Sequence, residues 1–508
     1  MAQTEILIAG AGPTGLVLAL WLTKLGVKVR IIDKSTGPGT TSRALAVQAR
    51  TLELYQQLDL TDAVIAKGHQ VPAVNFWVNG ARKAHMSLKD MGTGLTPYPF
   101  LHIFPQDEHE KLLVAKLESL GVSVERRTEL VSFTEQADGV VARLRGPDGN
   151  ESACEAIYLA GCDGARSKVR ETIGTGFPGG TYQHLFYVAD VDATGPALDG
   201  ELHIDLDQAD FVAVFPLAGK GRARLIGTVR DERADRAETL AFGDVSNHAI
   251  GQMKLSITNV NWFSTYHVHH RVTQQFRKDR AFLIGDAAHI HSPAGGQGMN
   301  TGIGDAINLA WKLAAVVKGR ASEALLDSYE AERIGFAQRL VASTDRAFTF
   351  ATGEGRLAGF VRTRIAPIVI PMLFSFAAAR RFAFRTVSQT MINYRGGPLS
   401  RGTAGGVQGG DRLPWVAVDG ADNFKPLGSA DWQVHVYGEA KSELAAWCAQ
   451  QNLPLHVFAW QDAHAAKGLA RNALYLLRPD TYLALAEGSA SPAALDRYFR
   501  EVGVKLAA

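Results

Sequence analysis

Gly10-Ala11-Gly12-Pro13-Thr14-Gly15 fits the pattern G-x-G-x-x-G and lies between an apolar strand run, EILIAG (5–10), and a helical run, GLVLALWLTKL (15–25). There the first glycine makes a tight turn, the second lets backbone approach a pyrophosphate, and the third lets helix pack on strand. The helix N-terminus adds partial positive charge where phosphates would sit. Asp33 ends a second strand run, VKVRIID (27–33), where a carboxylate accepts from ribose hydroxyls. Together these features indicate an adenine dinucleotide, with a glycine-rich structural turn as the alternative. The loop alone does not choose between NAD and FAD.

Two more acidic turns follow apolar runs. Cys162-Asp163-Gly164-Ala165-Arg166-Ser167-Lys168-Val169-Arg170 follows IYLAG, and Gly285-Asp286-Ala287-Ala288-His289 follows AFLIG. Both put an Asp at a sheet's carboxyl edge, where ligands of open α/β folds bind. Taken singly, such an Asp is more readily a helix cap or turn residue. Pro293-Ala294-Gly295-Gly296-Gln297-Gly298-Met299-Asn300 then supplies glycine-dense backbone just before a helix at 302–318. Its row of N–H groups suits an electron-rich ring edge that gains negative charge on reduction.

The elements that position these turns are legible from periodicity. Residues 5–33 read as βαβ, helical spacing recurs at 44–58 and 107–120, and a strand-rich middle includes 184–192 and 211–217. After Tyr394 a Gly-rich connector, RGGPLSRGTAGGVQGG, precedes a small α/β unit. That unit has strands at 433–437 and 454–459, a helix at 441–451, a hairpin through ALYLLRPDTYLALA and a last helix at 491–501.

The three motifs, in this order, closely resemble the class A flavin monooxygenases, the aromatic hydroxylases of the p-hydroxybenzoate hydroxylase fold, over roughly residues 1–395. The terminal unit resembles the thioredoxin-like appendage of the larger phenol and polyketide hydroxylases. The resemblance implies an α/β chain with a Rossmann-like FAD-binding domain (1–180 and 270–345, with a substrate-domain insertion near 70–100) and a sheet-based substrate domain (181–269). A helical segment (346–394) and a linker with the thioredoxin-like domain (395–508) complete it. Implied for FAD are Gly10, Gly12, Pro13, Thr14, Gly15 and Asp33 at the ADP part, and Arg43 and Gln106 on the pyrophosphate side. Asp163 matches a motif linked to FAD and NAD(P)H, Asp286 the residue at ribityl or ribose oxygens, and Gly298, Met299 and Asn300 the backbone at the isoalloxazine ring. Pro293 matches a backbone carbonyl near the reacting centre. NADPH or NADH is implied as a transient co-substrate, and O2 enters through a flavin C4a-hydroperoxide that hydroxylates an aromatic molecule, phenolic or polycyclic and polyketide-like. One departure, Asp279-Arg280 where the family often has Gly-Arg, falls in a turn.

Other assignments fit less well. There is no cysteine pair for a disulfide reductase, no F-x-G-x-x-x-H of Baeyer–Villiger enzymes and no G-W-x-W-x-I-P of halogenases. A non-catalytic flavin-binding or drug-sequestering protein, or a monooxygenase performing epoxidation or Baeyer–Villiger-type oxidation, is the alternative. Tyr98 and His102 are candidates for the substrate side, Tyr98 as a catalytic residue; Phe211, Phe215 and Pro216 are core residues by default and pocket-lining otherwise. His267, His269 and His270 read as a solvated or packed strand, not a metal site, and His289 and His291 as histidines held by backbone hydrogen bonds.

Fifty-three Lys and Arg against 51 Asp and Glu give a net charge of +2, which argues against a nucleic-acid partner. Cys154, Cys162 and Cys448 are too few for a disulfide framework, and no signal peptide is recognisable, so a cytoplasmic protein is expected, with a homodimer as the assembly to consider. The run IAPIVIPMLFSFAAA (365–379) is shorter than a membrane span and contains Pro367 and Pro371. A buried helix or interface is expected, with a membrane-surface or substrate-lining segment as the alternative and no stable insertion.

Overall fold

Two eight-stranded sheets and one six-stranded sheet organise the chain in the computed structural model, which describes residues 3–39, 44–206, 211–229, 240–245, 248–292, 294–352 and 356–506. The first sheet is built on Thr4–Ala9, which pairs in parallel with Val29–Asp33 on one side and Glu151–Gly161 on the other. Ala281–Leu283 pairs in parallel beyond Glu151–Gly161. The strands leading to all three glycine and acidic turns are therefore neighbours whose carboxyl ends share one edge. They read as unbroken apolar runs because helices cover both faces of a parallel sheet. Helices Pro13–Lys24 and Gly298–Val317 pack against each other over this sheet.

The second sheet runs in the order His289–Ile290, Ser256–Val272, Gly179–Thr194, Arg222–Val229, Val212–Pro216, Leu202–Asp205, Ala73–Val78, Ala81–Ser87. Period-2 alternation divides its side chains. Leu185, Tyr187, Leu225 and Val214 pack with Ile250 and Met253 on one face. Phe76, Ile204, Phe215 and Ile226 cluster with Ala46 and Ile370 on the other, so this face turns toward the first sheet's loops.

In the third sheet Gln433–Tyr437 pairs in parallel with Leu455–Phe458 and antiparallel with Leu474–Leu477, which pairs with Leu483–Glu487. With helices Ser442–Gln450 and Pro492–Val502 this is the thioredoxin-like arrangement. Cys448 is buried there without a second cysteine in the unit, and burial pushes its thiol up to about 11.

Three expectations change. The 44–58 run is a two-residue strand, Ala46–Val47, before a helix that starts only at Ala49. The Gly-rich connector is partly ordered in the sheet, with Arg401–Ala404 pairing beside Leu483–Glu487. The 365–379 run is only partly buried: it forms helix Ala366–Ser375, on which Ala366 and Pro367 are buried but Ile368 is 70 % exposed, and continues to Phe376, 60 % exposed. Among the described residues, no single helix is long and apolar enough to cross a membrane.

Candidate active site

The first loop is shaped by close backbone approaches. Gly10 has φ +103°, and a Cβ there would meet the Cys162 carbonyl oxygen at 2.2 Å; one on Gly15 would meet the Gly10 carbonyl oxygen at 1.9 Å. Any side chain at either position displaces backbone. Gly12 differs: a Cβ there meets nothing within 4 Å, and Gly12 caps Pro13–Lys24 without a side-chain hydrogen bond. The first N–H groups of the helix, at Thr14 and Gly15, therefore have no side-chain cap, and there is room beside Gly12. Asp33 holds the loop, its Oδ2 accepting from Ala11 N at 2.7 Å and its Oδ1 from Ser35 N at 2.7 Å.

Thr14 joins this loop to the other motifs. A Cβ on Gly285 would meet Thr14 Oγ1 at 2.8 Å, and one on Gly302 would meet it at 2.4 Å. Three stretches far apart in sequence converge there. Asp286 is exposed in the turn Gly285–Ala287 at the same edge. Asp163 takes the capping role: its Oδ2 accepts from Lys168 N (2.7 Å) and Val169 N (3.1 Å) at the start of Lys168–Ile173. Its Oδ1 is buried with no hydrogen-bond partner among the described residues, and burial raises the carboxyl's pKa.

The Gly-rich stretch ahead of Gly298–Val317 is fixed by Asn300. Its amide donates to Ala46 O (2.8 Å) and Gly296 O (2.9 Å), and its Oδ1 accepts from Gln48 N (2.9 Å) and Thr51 Oγ1 (2.8 Å). This is why the 44–58 run breaks at Gln48. Met299 packs at the edge of the main core. The helix has no side-chain cap, so the N–H groups at Gly298 and Met299 lack a side-chain acceptor among the described residues. Gln106 heads helix Gln106–Ser119 and donates to Glu110 Oε1 (2.8 Å), while Glu110 Oε2 accepts from Gly39 N (2.7 Å). Arg43 and Pro293 lie outside the described residues.

Asp305 was not singled out from the sequence. Its Oδ2 lies 2.6 Å from His289 Nε2 and accepts from Gly285 N at 3.2 Å, and its Oδ1 accepts from Arg333 Nε at 2.5 Å. His289 is therefore held by a carboxylate and not by backbone. Burial raises the Asp305 carboxyl, but Arg333 and His289 outweigh it and hold the group below the usual range. The available signal was an acid inside the apolar stripe that includes Ile303 and Ala306. His291 meets the expectation, with Nδ1 at 2.8 Å from Ser292 O; its Nε2 is buried without a partner among the described residues.

On the face shared by Phe215 and Ile226, Arg224 is buried and ion-paired in a fork to Asp190, Nε–Oδ1 2.5 Å and Nη2–Oδ2 2.7 Å. Arg222, two residues earlier on the same strand, is exposed, and Arg230 lies outside the described residues. Phe211 and Phe215 are half-buried and Pro216 is buried. Tyr98 does not sit at the loop: it packs with Met91 and Phe384, and its hydroxyl faces Thr61 and Gln56, with burial pushing it up to about 12. His102 is also a core residue, buried with Nε2 at 2.9 Å from Val64 O. His267 is exposed, His269 pairs with Thr181 Oγ1 (2.8 Å), and His270 packs on Tyr182.

Residues 3–344 match the model of a family described as "FAD binding domain". The chain is 38 % identical over 416 residues to 6-methylpretetramide 4-monooxygenase of Streptomyces rimosus, covering 80 % of this chain and 72 % of that protein. It is 32 % identical over 498 residues to a flavin-dependent monooxygenase of Mycobacteroides abscessus, covering 94 % and 96 %. The solved structure of OxyS anhydrotetracycline hydroxylase from Streptomyces rimosus matches with TM-score 0.77 and 28 % identity, covering 99 % of this chain and 100 % of that one.

Proposed function

Because the chain belongs to the FAD-binding family of class A flavin monooxygenases and is an aromatic hydroxylase using FAD, NAD(P)H and O2, we propose that its substrate is a bulky, largely neutral phenolic polycycle of the polyketide type. The observation that carries this is the Arg224–Asp190 fork. A small benzoate is best held by a bidentate guanidinium. The buried arginine of the apolar face already spends that fork on Asp190, leaving Phe76, Ile204, Phe215 and Ile226 to meet an apolar ring system. The relatives that act on 6-methylpretetramide and anhydrotetracycline support the same reading.

The residues present fit FAD. The space at Gly12, the unpartnered Asp163 Oδ1, the exposed Asp286 and the uncapped start of Gly298–Val317 form a run of donors and acceptors along one sheet edge. We assign the Gly12, Thr14 and Gly15 N–H groups to the pyrophosphate, Asp33 and Asp286 to sugar-type hydroxyls, and the Gly298–Met299 backbone to the ring. When bound, FAD supplies hydride acceptance from NAD(P)H and transfer of one oxygen atom of O2 to an aromatic carbon. Asn300 keeps the ring-side backbone rigid, so its N–H groups stay aimed as negative charge develops. Asp305 fixes the Gly285 turn, and with it Asp286. His291 donates from Nδ1 to Ser292 O, which leaves Nε2 an acceptor able to hold a hydroxyl proton. The apolar face excludes water from the reacting region.

The test compares NAD(P)H oxidation and hydroxylated product with 3-hydroxybenzoate against a neutral polycyclic phenol. Coupled product from the polycycle is expected. Product from the small carboxylate alone rejects the substrate reading, and an epoxide or a ring-expanded lactone points to another oxygen insertion.

A further inference from the structure

Helix Ala377–Val387 follows Val361–Ser375 at a bend of 101°. Of the 13 exposed large apolar side chains among the described residues, ten lie between Leu357 and Met391. Ile368, Met372, Leu373 and Phe376 face outward around the bend, and Phe382 follows on the second helix. Ile370 and Phe374 face inward, Ile370 onto the cluster with Phe76 and Ile226. The pair therefore has an inner apolar face that is used and an outer one that is not. An exposed patch of this kind marks a contact surface.

Charge identifies the contact. Arg364, Arg381 and Arg385 are exposed and Arg380 is half-buried. None of the four is ion-paired among the described residues. Lys467 of the third sheet's unit lies close enough to feel Arg381 and Arg385. From Arg356 to Gly410 the sequence contains no Asp or Glu. We infer that the bent pair is a docking surface for an anionic lipid bilayer, with Phe376 and its neighbours entering the headgroup boundary and the arginines meeting lipid phosphates. A bilayer supplies acyl chains and negative charge together. A second copy bound about a two-fold axis sets the same arginine-rich patch against itself. Both helices are far shorter than the ~20 residues a span needs, so the contact lies in the membrane plane. It does not depend on the substrate proposed above.

The test is flotation of the full-length holoprotein with vesicles of phosphatidylcholine alone or mixed with phosphatidylglycerol. Flotation only with the anionic vesicles, released by high salt, is expected. Arg381→Glu with Arg385→Glu should lower vesicle binding about tenfold or more, since each juxtamembrane arginine contributes several-fold. Phe376→Ser should lower it while thermal melting stays at the parent value. The inference is overturned if the parent protein stays behind with anionic vesicles, or binds both vesicle types equally. It is also overturned if sedimentation reveals a dimer that Phe376→Ser separates.

Discussion

His289 and Asp305, each with a side chain only 1 % exposed, face each other at 2.6 Å from the two ends of the Gly-rich stretch. The same carboxylate receives the Gly285 N–H and the Arg333 guanidinium, so one acid connects the turn carrying Asp286 to the helix carrying Asn300.

Asp305→Asn preserves the shape and removes the charge. Arg333 then remains buried beside a neutral amide, and breaking such a pair costs about 3–5 kcal/mol. The variant is expected to purify with less FAD and to melt earlier, read from the flavin-to-protein absorbance ratio and a thermal scan. Full flavin content with unchanged melting contradicts the role given to Asp305.

Asp190→Asn releases the Arg224 fork. With Asp190 made neutral, the buried Arg224 guanidinium gains a charge-assisted pair with a carboxylated ligand, worth about 1.5–3 kcal/mol. The KM for 3-hydroxybenzoate in NAD(P)H oxidation should fall about tenfold or more, with no gain for a neutral polycycle. An unchanged KM means Arg224 does not face the substrate.

Acid should destabilise the protein in two stages. Burial pushes His109 down to about 3 and His291 down to about 4. The unfolded chain takes up their protons below about pH 6.5 while the folded chain does not, so stability falls as pH drops from there, by about 2 kcal/mol per histidine at pH 5. Glu332, which burial raises but Arg478 and Lys312 pull down to about 2, stabilises the fold above about pH 4.3 and loses that contribution as pH falls further. Melting temperature measured across this range should show both stages, and His109→Phe should flatten the first. An unaltered slope in that variant refutes the assignment.

The thioredoxin-like unit docks through buried charge. Arg478 donates from Nε to Asp480 Oδ1 at 2.9 Å and from Nη2 to Glu332 Oε2 at 3.0 Å, and Lys312 reaches the same Glu332 oxygen at 2.9 Å. Arg478→Met strands Asp480 and leaves Glu332 only Lys312 as a cationic partner, and should cost about 3–5 kcal/mol. Limited proteolysis between the second and third sheets should accelerate; a cleavage rate equal to the parent's contradicts the docking role.

What could be read in the chain was local. The βαβ start, the helix at Gly298–Val317 and the last α/β unit follow from periods of 2 and 3.6 and from glycines at turns. The acids at 33, 163 and 286 were found because each ends an apolar run. Asp305, Asp190 and Glu332 were not, because each acts through a partner on another strand or helix, and no spacing announces such a pair. Tyr98 and His102 were candidates for the substrate side, but Tyr98 is half-buried against Met91 and Phe384 and His102 is buried on Val64 O, contacts that no local spacing announces.

Asn300 binds Gln48 across 252 residues of chain, so the ring-side cradle has no local precursor. Its two walls are made at different times on the ribosome. At synthesis rates of ~5–20 residues per second the wall around Gln48 waits roughly 13–50 s for Asn300 to appear. With the cofactor placed as proposed above, its loading is a late event: the glycine loop at Gly10–Gly15 is made early, but the wall that Asn300 joins to Gln48 can close only when about three-fifths of the protein has been made.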